Sequence, residues 1–323
     1  MDNQRNLILA VVLSAVLLFG WDFVMSRLYP QPLEQPPAAT STAAGEAATP
    51  GAVAAGLPGT SAAEVRRDLA SELARPGRIP IAAPKLTGSI NPLGARVDDI
   101  DLVEHRRAVE RASGPVRLFA PAGTPMQHFA QFGWVGEGVP LPTAETRWDV
   151  VEGERLTPAT PVTLAWDNGA GQRFSLTYAI DEDYMLTVTQ RVANSGAGPI
   201  AVNPYAFVSR TSTTADPDTF NVHSGPISAR NAEVDFGIDY DDIGEAQGGA
   251  LDLDGRTNWI GFTDIYWLSA LVPDAERPAT SAYRATGAAS FRADLYYQPI
   301  TVAPGASIAH TTRLFAGAKE SAV

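Results

Sequence analysis

The chain has 323 residues, 45% of them hydrophobic and 8% aromatic, and contains no cysteine. That composition suits a globular body with a real core, and it excludes disulfides and thiolate metal sites. A formal charge of −12 repels phosphate backbones, which argues against nucleic-acid partners.

The first element is LILAVVLSAVLLFGWDFVM, the 19 residues from Leu7 to Met25, uncharged as far as Trp21. A helix rises about 1.5 Å per residue, so roughly 20 apolar residues cross a bilayer core. A cleaved leader needs a small-x-small pair soon after its apolar run. Here Trp21, Asp22, Phe23 and Val24 are followed by Met25-Ser26-Arg27-Leu28-Tyr29-Pro30, which offers none. The expectation is a retained membrane anchor over residues 1–28, with Leu7, Leu13, Leu17, Phe19, Trp21 and Phe23 carrying the contact with lipid. Arg5 and Arg27 flank the span evenly, so charge does not fix its orientation. No later segment approaches a second span.

Residues 29–78 read as a linker. Pro30 to Thr60 holds six prolines, no aromatic residue and only two charges, Glu34 and Glu46. Such a stretch buries too little apolar surface to offset its ordering entropy. A short helix is expected at its end. Ser61 and Glu64 have capping-box spacing, Val65, Leu69 and Leu73 recur every fourth residue, and Pro76-Gly77 stops the run.

Residues 79–323 read as β-structure. Phe174, Leu176, Tyr178 and Ile180 alternate with Arg173, Ser175, Thr177 and Ala179. Asp181-Glu182-Asp183 then supplies a turn, and Tyr184, Leu186, Val188 and Val192 resume the period of two. Further strands are predicted at 97–103, 161–166, 201–208 and 284–297. A hairpin is predicted around Ala303-Pro304-Gly305-Ala306. Many short strands without long helices predict a large antiparallel sandwich that folds apart from the anchor and linker.

Catalytic and metal motifs are sparse. His105, His128, His223 and His310 are scattered without metal-ligand spacing. His105 is expected in a solvated loop and His310 in a cross-strand contact. Asp239, Asp241, Asp242 and Glu245 cluster, and Asp252-Leu253-Asp254-Gly255 resembles part of a calcium loop but lacks the later acidic ligands. Solvated turns are the better account. No nucleophile elbow, phosphate loop or glycosidase carboxylate pair stands out. No catalytic, cofactor-binding or metal site is therefore expected. The densest apolar stretch is GRTNWIGFTDIYWLSALVPD, residues 255–274. Its Trp259, Phe262, Tyr266 and Trp267 belong either to a central strand buried on both faces, the favoured expectation, or to an exposed binding strip.

Several stretches together resemble one family. MDNQRNLILAVVLSAVLLFGWDF is similar to the N-terminal anchor of YidC-type membrane protein insertases. LTGSINPLGARVDDIDL, FAPAGTPMQHFAQFGWVG, NWIGFTDIYWLSALVPD and LFAGAKE resemble successive parts of that family's periplasmic domain. The resemblance implies an uncleaved first helix in the inner membrane with its N-terminus in the cytoplasm. It also implies a periplasmic, twisted, mutarotase-like supersandwich. The implied role is assisting insertion, folding and assembly of inner-membrane proteins without a conventional catalytic site. The implied partners are the Sec translocon, SecDF, nascent inner-membrane proteins and the bilayer. Family members continue past a segment like LFAGAKE into five further membrane helices that carry the insertion groove, which this sequence does not contain. It is therefore expected to represent anchor plus accessory domain, unable to insert proteins unaided.

An alternative from another class is a membrane-tethered carbohydrate-binding or mutarotase-like protein. Such an enzyme needs a histidine and a carboxylate converging in one cleft.

Overall fold

The computed structural model describes residues 67–108, 113–216 and 222–320. The expected anchor, most of the linker and the Ser61/Glu64 capping box lie outside them. Among the described residues no helix is long and apolar enough to cross a membrane.

Two antiparallel sheets face each other across one core. Strands are numbered along the chain. The ten-stranded sheet runs β1 (Ile79–Ala82), β2 (Leu86–Asn91), β3 (Arg96–Arg106), β5 (His128–Gly136), β10 (Ile200–Thr211), β17 (Ser290–Tyr297), β16 (Ala279–Gly287) and β13 (Ala250–Leu253). Two further strands, β4 (Pro115–Phe119) and β18 (Ile300–Val302), pair with β3 and β10 respectively. The nine-stranded sheet runs β12 (Glu233–Asp235), β11 (Gly225–Arg230), β14 (Thr257–Thr263), β15 (Trp267–Pro273), β19 (Ser307–Ala318), β9 (Met185–Asn194), β8 (Gln172–Ile180), β7 (Val162–Asp167) and β6 (Asp149–Glu152).

The alternation in the sequence becomes the two faces of these sheets. In β8, Phe174, Leu176 and Tyr178 are fully buried while the residues between them are more open. Ile180 opposes Leu186 across the predicted hairpin. Each fully buried side chain of this size contributes about 1.5–3 kcal/mol. The Tyr178 hydroxyl, taken into the core with its ring, donates to the Ala95 carbonyl at 2.6 Å, so no polar atom is stranded.

Two sequence expectations are corrected. Residues 284–297 form parts of two strands, β16 and β17, which reverse at Ala288-Ala289 with Gly287 opposite Ser290, a turn of small residues without the Pro, Asn or Asp that would mark it in the sequence. The stretch 255–274 is likewise a hairpin, β14 and β15, rather than one central strand. Gly261 allows that hairpin: a Cβ there would lie 1.8 Å from the Ser269 carbonyl oxygen.

Among the described residues the helices are short. α1 (Leu69–Leu73) is capped by Asp68, whose carboxylate accepts from the Ser71 amide at 2.8 Å. The acidic cluster at 239–245 builds α2 (Tyr240–Glu245). Asp239 accepts from the Asp242 amide and Asp242 accepts from the Asp239 amide, each at 2.9 Å. The cluster is a capping box rather than a plain solvated turn.

Candidate functional site

Strand register gathers the β8–β9, β14–β15 and β4–β5 turns, the end of β3 and the chain exit after β19 at one end of the sandwich. Trp267 opposes Ala318, and His128, which opposes Arg210, reaches across to Ser269, its Nε2 lying 2.8 Å from Ser269 Oγ.

A polar and aromatic cluster is built there. The Tyr184 hydroxyl donates to Glu320 Oε1 at 2.7 Å, and Lys85 Nζ donates to Glu320 Oε2 at 2.7 Å. Lys85 also pairs with Asp183 at 2.9 Å and sits 4.9 Å from the Tyr184 ring centre. Hydrogen bonds from Lys85 and Tyr184 hold the Glu320 carboxyl below its ordinary value. His105 Nε2 lies 3.3 Å from the Tyr184 hydroxyl, and its ring meets Trp267 edge-on at 5.1 Å. His105 is thus on β3 and held by neighbours, not in a solvated loop. Gly317 makes room for Tyr184: a Cβ there would lie 2.2 Å from the ring.

The predicted strip divides in this frame. Phe262 is 1% exposed and packs with Tyr283 and Tyr240. Trp259 and Trp267 are half-buried. Tyr266 is 65% exposed, because it stands on the turn between β14 and β15 where no facing sheet reaches it. The expectation of a uniformly buried strip therefore fails at Tyr266. The candidate anchor residues Leu7, Leu13, Leu17, Phe19, Trp21 and Phe23 lie outside the described residues.

Beside this end, Arg210 and Asp264 form an ion pair at 2.7 Å with side chains 3% and 9% exposed. Asp264 Oδ1 also accepts from Ser224 Oγ and the Asp216 amide, both at 3.1 Å. Sequence reasoning missed this pair, since its members lie 54 positions apart.

The outer face of the ten-stranded sheet holds a second group that sequence reasoning missed. Tyr205 stacks on Phe207, whose ring carries the Arg292 guanidinium 3.7 Å from its centre. Asp294, fully buried, receives Tyr296 Oη at 2.5 Å and lies 3.0 Å from Arg284 Nε. Gly133 leaves the space, since a Cβ there would lie 2.7 Å from Tyr205 Oη. The signal was present in Arg292-x-Asp294-x-Tyr296, a polar face at period two, but its partners come from other strands.

The histidines do not assemble an acid–base centre in a cleft. His128 is buried, and that burial, with the Arg210 charge, holds its imidazole well below the usual range. His310 is 3% exposed, lies mid-strand opposite Gln190, and has its ring centre 3.7 Å from that of Tyr297 in the facing sheet, so its ring contact is between sheets rather than the expected cross-strand one. Burial lowers its pKa to about 4. Tyr297 lines a depression of about 250 Å³ with Glu276, Arg277 and Gln298, but His310 is too deeply buried to be presented there. His105 approaches Glu320 at 3.8 Å, with both side chains partly exposed at the surface. His223 Nε2 lies 2.7 Å from the Pro226 carbonyl oxygen. No group of three or more potential metal ligands occurs among the described residues.

A family model for the YidC periplasmic domain matches residues 78–323. The chain belongs to that family. Among curated relatives, the membrane protein insertase YidC of Zymomonas mobilis is 35% identical over 319 residues, covering 98% of this chain and 53% of the relative. The corresponding protein of Bradyrhizobium diazoefficiens is 33% identical over 347 residues, covering 100% of this chain and 55% of the relative. The chain thus spans about half the length of the curated YidC relatives it matches. Among solved structures, a galactose mutarotase related enzyme from Lactobacillus acidophilus superposes with a TM-score of 0.50 at 11% identity. It covers 76% of this chain and 99% of that one. That likeness is of fold alone, a mainly β, mutarotase-like pair of sheets.

Proposed function

We propose that this chain is the membrane-anchored periplasmic part of a membrane protein insertase, assisting insertion, folding and assembly of inner-membrane proteins with and without the Sec translocon. The match of the YidC periplasmic-domain model to residues 78–323 carries this reading. In it, residues 1–28 form an uncleaved helix in the inner membrane with the N-terminus in the cytoplasm, residues 29–78 a tether, and residues 79–323 a periplasmic recognition body. Its partners are nascent inner-membrane proteins, the Sec translocon and SecDF. The body works by contact rather than by chemistry, consistent with an end that exposes Tyr266 beside the half-buried Trp267 and the Lys85–Glu320 pair rather than a nucleophile and base. The carbohydrate reading draws support from fold likeness only.

The test uses cells depleted of their own insertase. Expressing this chain alone is expected not to restore insertion of a test inner-membrane protein, read by protease accessibility. Joining it to the C-terminal half of a curated YidC relative is expected to restore it. A joined protein that accumulates in the inner membrane yet restores nothing overturns the assignment.

A further inference from the structure

Side chains from three separate elements converge on the carboxylate of Glu320. Tyr184, at the β8–β9 turn, donates its hydroxyl proton to Glu320 Oε1 at 2.7 Å. Lys85, at the β1–β2 turn, donates to Oε2 at 2.7 Å and pairs with Asp183 at 2.9 Å. His105, on β3, completes the group, with Nε2 3.3 Å from the Tyr184 hydroxyl oxygen and 3.8 Å from Glu320 Oε1. The single hydroxyl proton of Tyr184 is committed to Glu320, so Nε2 must carry the hydrogen in its contact with Tyr184. Imidazole, hydroxyl and carboxylate thus form one directed series of donors and acceptors.

Charge in this group is unbalanced while His105 is neutral, because the Lys85 ammonium faces two carboxylates, Asp183 and Glu320. A proton on His105 supplies the second cation. It makes the contact with Tyr184 charge-assisted and adds direct attraction to Glu320 at 3.8 Å. The remaining neighbours do not take that role. Trp267, edge-on at 5.1 Å, is uncharged, and Lys319 sends Nζ to Thr263 Oγ1 at 3.0 Å. Glu104 and Arg106, on either side of His105 in β3, carry opposite charges. Hydrogen bonds from Lys85 and Tyr184 lead in holding the Glu320 carboxyl below its ordinary value, and the His105 charge acts in the same direction. What the group holds is the exit of the chain from the sandwich, where the neighbouring Lys319 amide donates to the Tyr266 carbonyl at 2.8 Å.

We propose that His105 makes this clasp pH-sensitive: its protonated ring grips Glu320, so the chain exit is held more firmly in mild acid than above neutrality. A proton that binds better to the clasped form stabilises that form as pH falls, and the grip weakens as pH rises and the ring loses its charge. The test is hydrogen exchange on the full chain in mild detergent, at pH 5.5 and at pH 8, which lie on either side of the range where imidazoles change charge. Exchange at the Lys319 amide is read by fragmentation mass spectrometry as a protection factor, which removes the intrinsic pH dependence of exchange. The wild type is expected to be about three-fold better protected at pH 5.5 than at pH 8, the scale of an exposed ion pair. His105→Gln removes the titrating ring, and Glu320→Gln keeps the shape of its partner without the charge. Each variant is expected to show equal protection at both pH values. The Asn194 amide, which donates to the Ala306 carbonyl at 2.9 Å near the opposite end of β9, reports on the fold as a whole and is expected not to follow the clasp. Equal protection of Lys319 at the two pH values in the wild type overturns the proposal. A response that persists in either variant belongs to another group and overturns it too. A gain of the same size at Asn194 marks a change in overall stability and likewise overturns it.

Discussion

The Tyr184 hydroxyl donates to Glu320 at 2.7 Å, tying the turn after β8 to the last described residues of the domain. The bond joins positions 136 apart, and the same carboxylate is held by Lys85 from the β1–β2 turn. The direction in which the chain leaves the sandwich is thereby set by two side chains from distant turns.

Removing that hydroxyl should loosen the exit without loosening the core. Tyr184→Phe keeps the ring over Gly317 and loses the hydroxyl's bond to Glu320 together with its 3.3 Å contact with His105 Nε2. Hydrogen exchange at the Lys319 amide is expected to rise several-fold, with the melting temperature within a degree or two of wild type. An unchanged exchange rate would show that the β15–β19 pairing and Lys85 hold the exit without the hydroxyl.

Gly317→Ala should act oppositely, on packing. Its Cβ would meet the Tyr184 ring at 2.2 Å, so ring or strand must shift. Overpacking of this kind costs about 1–3 kcal/mol. Urea unfolding measures it, and Gly317→Ala combined with Tyr184→Ala should recover part of the loss.

The strip at 255–274 predicts two unlike outcomes. Phe262→Ala opens a cavity beside Tyr283 and should cost about 3–5 kcal/mol. Tyr266→Ala removes an exposed ring and should stay within about 0.5 kcal/mol of wild type. Thermal melts of both variants check the pair, and comparable losses would place Tyr266 in the core after all.

Breaking the buried Arg210–Asp264 pair by Arg210→Met leaves a carboxylate that keeps only Ser224 and an amide as partners. A loss of about 3–5 kcal/mol is expected. The double variant Arg210→Met with Asp264→Leu should be less damaged than the single one, read by a denaturant-unfolding cycle.

Acid should destabilise the domain partly through two histidines. Burial depresses both His128, helped by Arg210, and His310, which also faces Arg277 and Asp274. Unfolded, each titrates near 6.5. The unfolded chain then binds more protons, so stability rises with pH across this window. The contribution is complete above about pH 6.5 and is lost as pH falls toward the folded value, about 4 for His310. Each histidine accounts for at most about 1.4 kcal/mol per pH unit. Melting temperatures of His310→Gln and wild type between pH 7 and pH 5 check this, and the variant's decline is expected to be shallower.

The β-rich class, the β8–β9 hairpin at Asp181-Glu182-Asp183 and the inward set Phe174, Leu176, Tyr178 were legible because alternation is a local property. So was the end of α1, which comes at Leu73, shortly before Pro76-Gly77. The splits at Ala288-Ala289 and Asp264-Tyr266 were not, because an apolar pattern that continues through a turn looks like one strand. The aromatic group on the outer sheet was half visible, as the polar face of Arg292, Asp294 and Tyr296, while Tyr205, Phe207 and Gly133 come from strands elsewhere in the sequence.

By itself the sequence determined the short-range features of this protein. The uncharged run from Leu7, the proline-rich stretch after it and the period-two strands each follow from residues a few positions apart, where covalent geometry fixes which side chains share a face. Its ordered family-like stretches also sufficed to indicate the YidC relationship. The tertiary structure alone decided which residues meet: Tyr184 with Glu320, Arg210 with Asp264, and Tyr266 with open solvent. Those outcomes depend on how two twisted sheets register against each other, and on which turns that register brings to the same end. Burial and charge pairing at such places are properties of neighbours far along the chain, which no local pattern encodes.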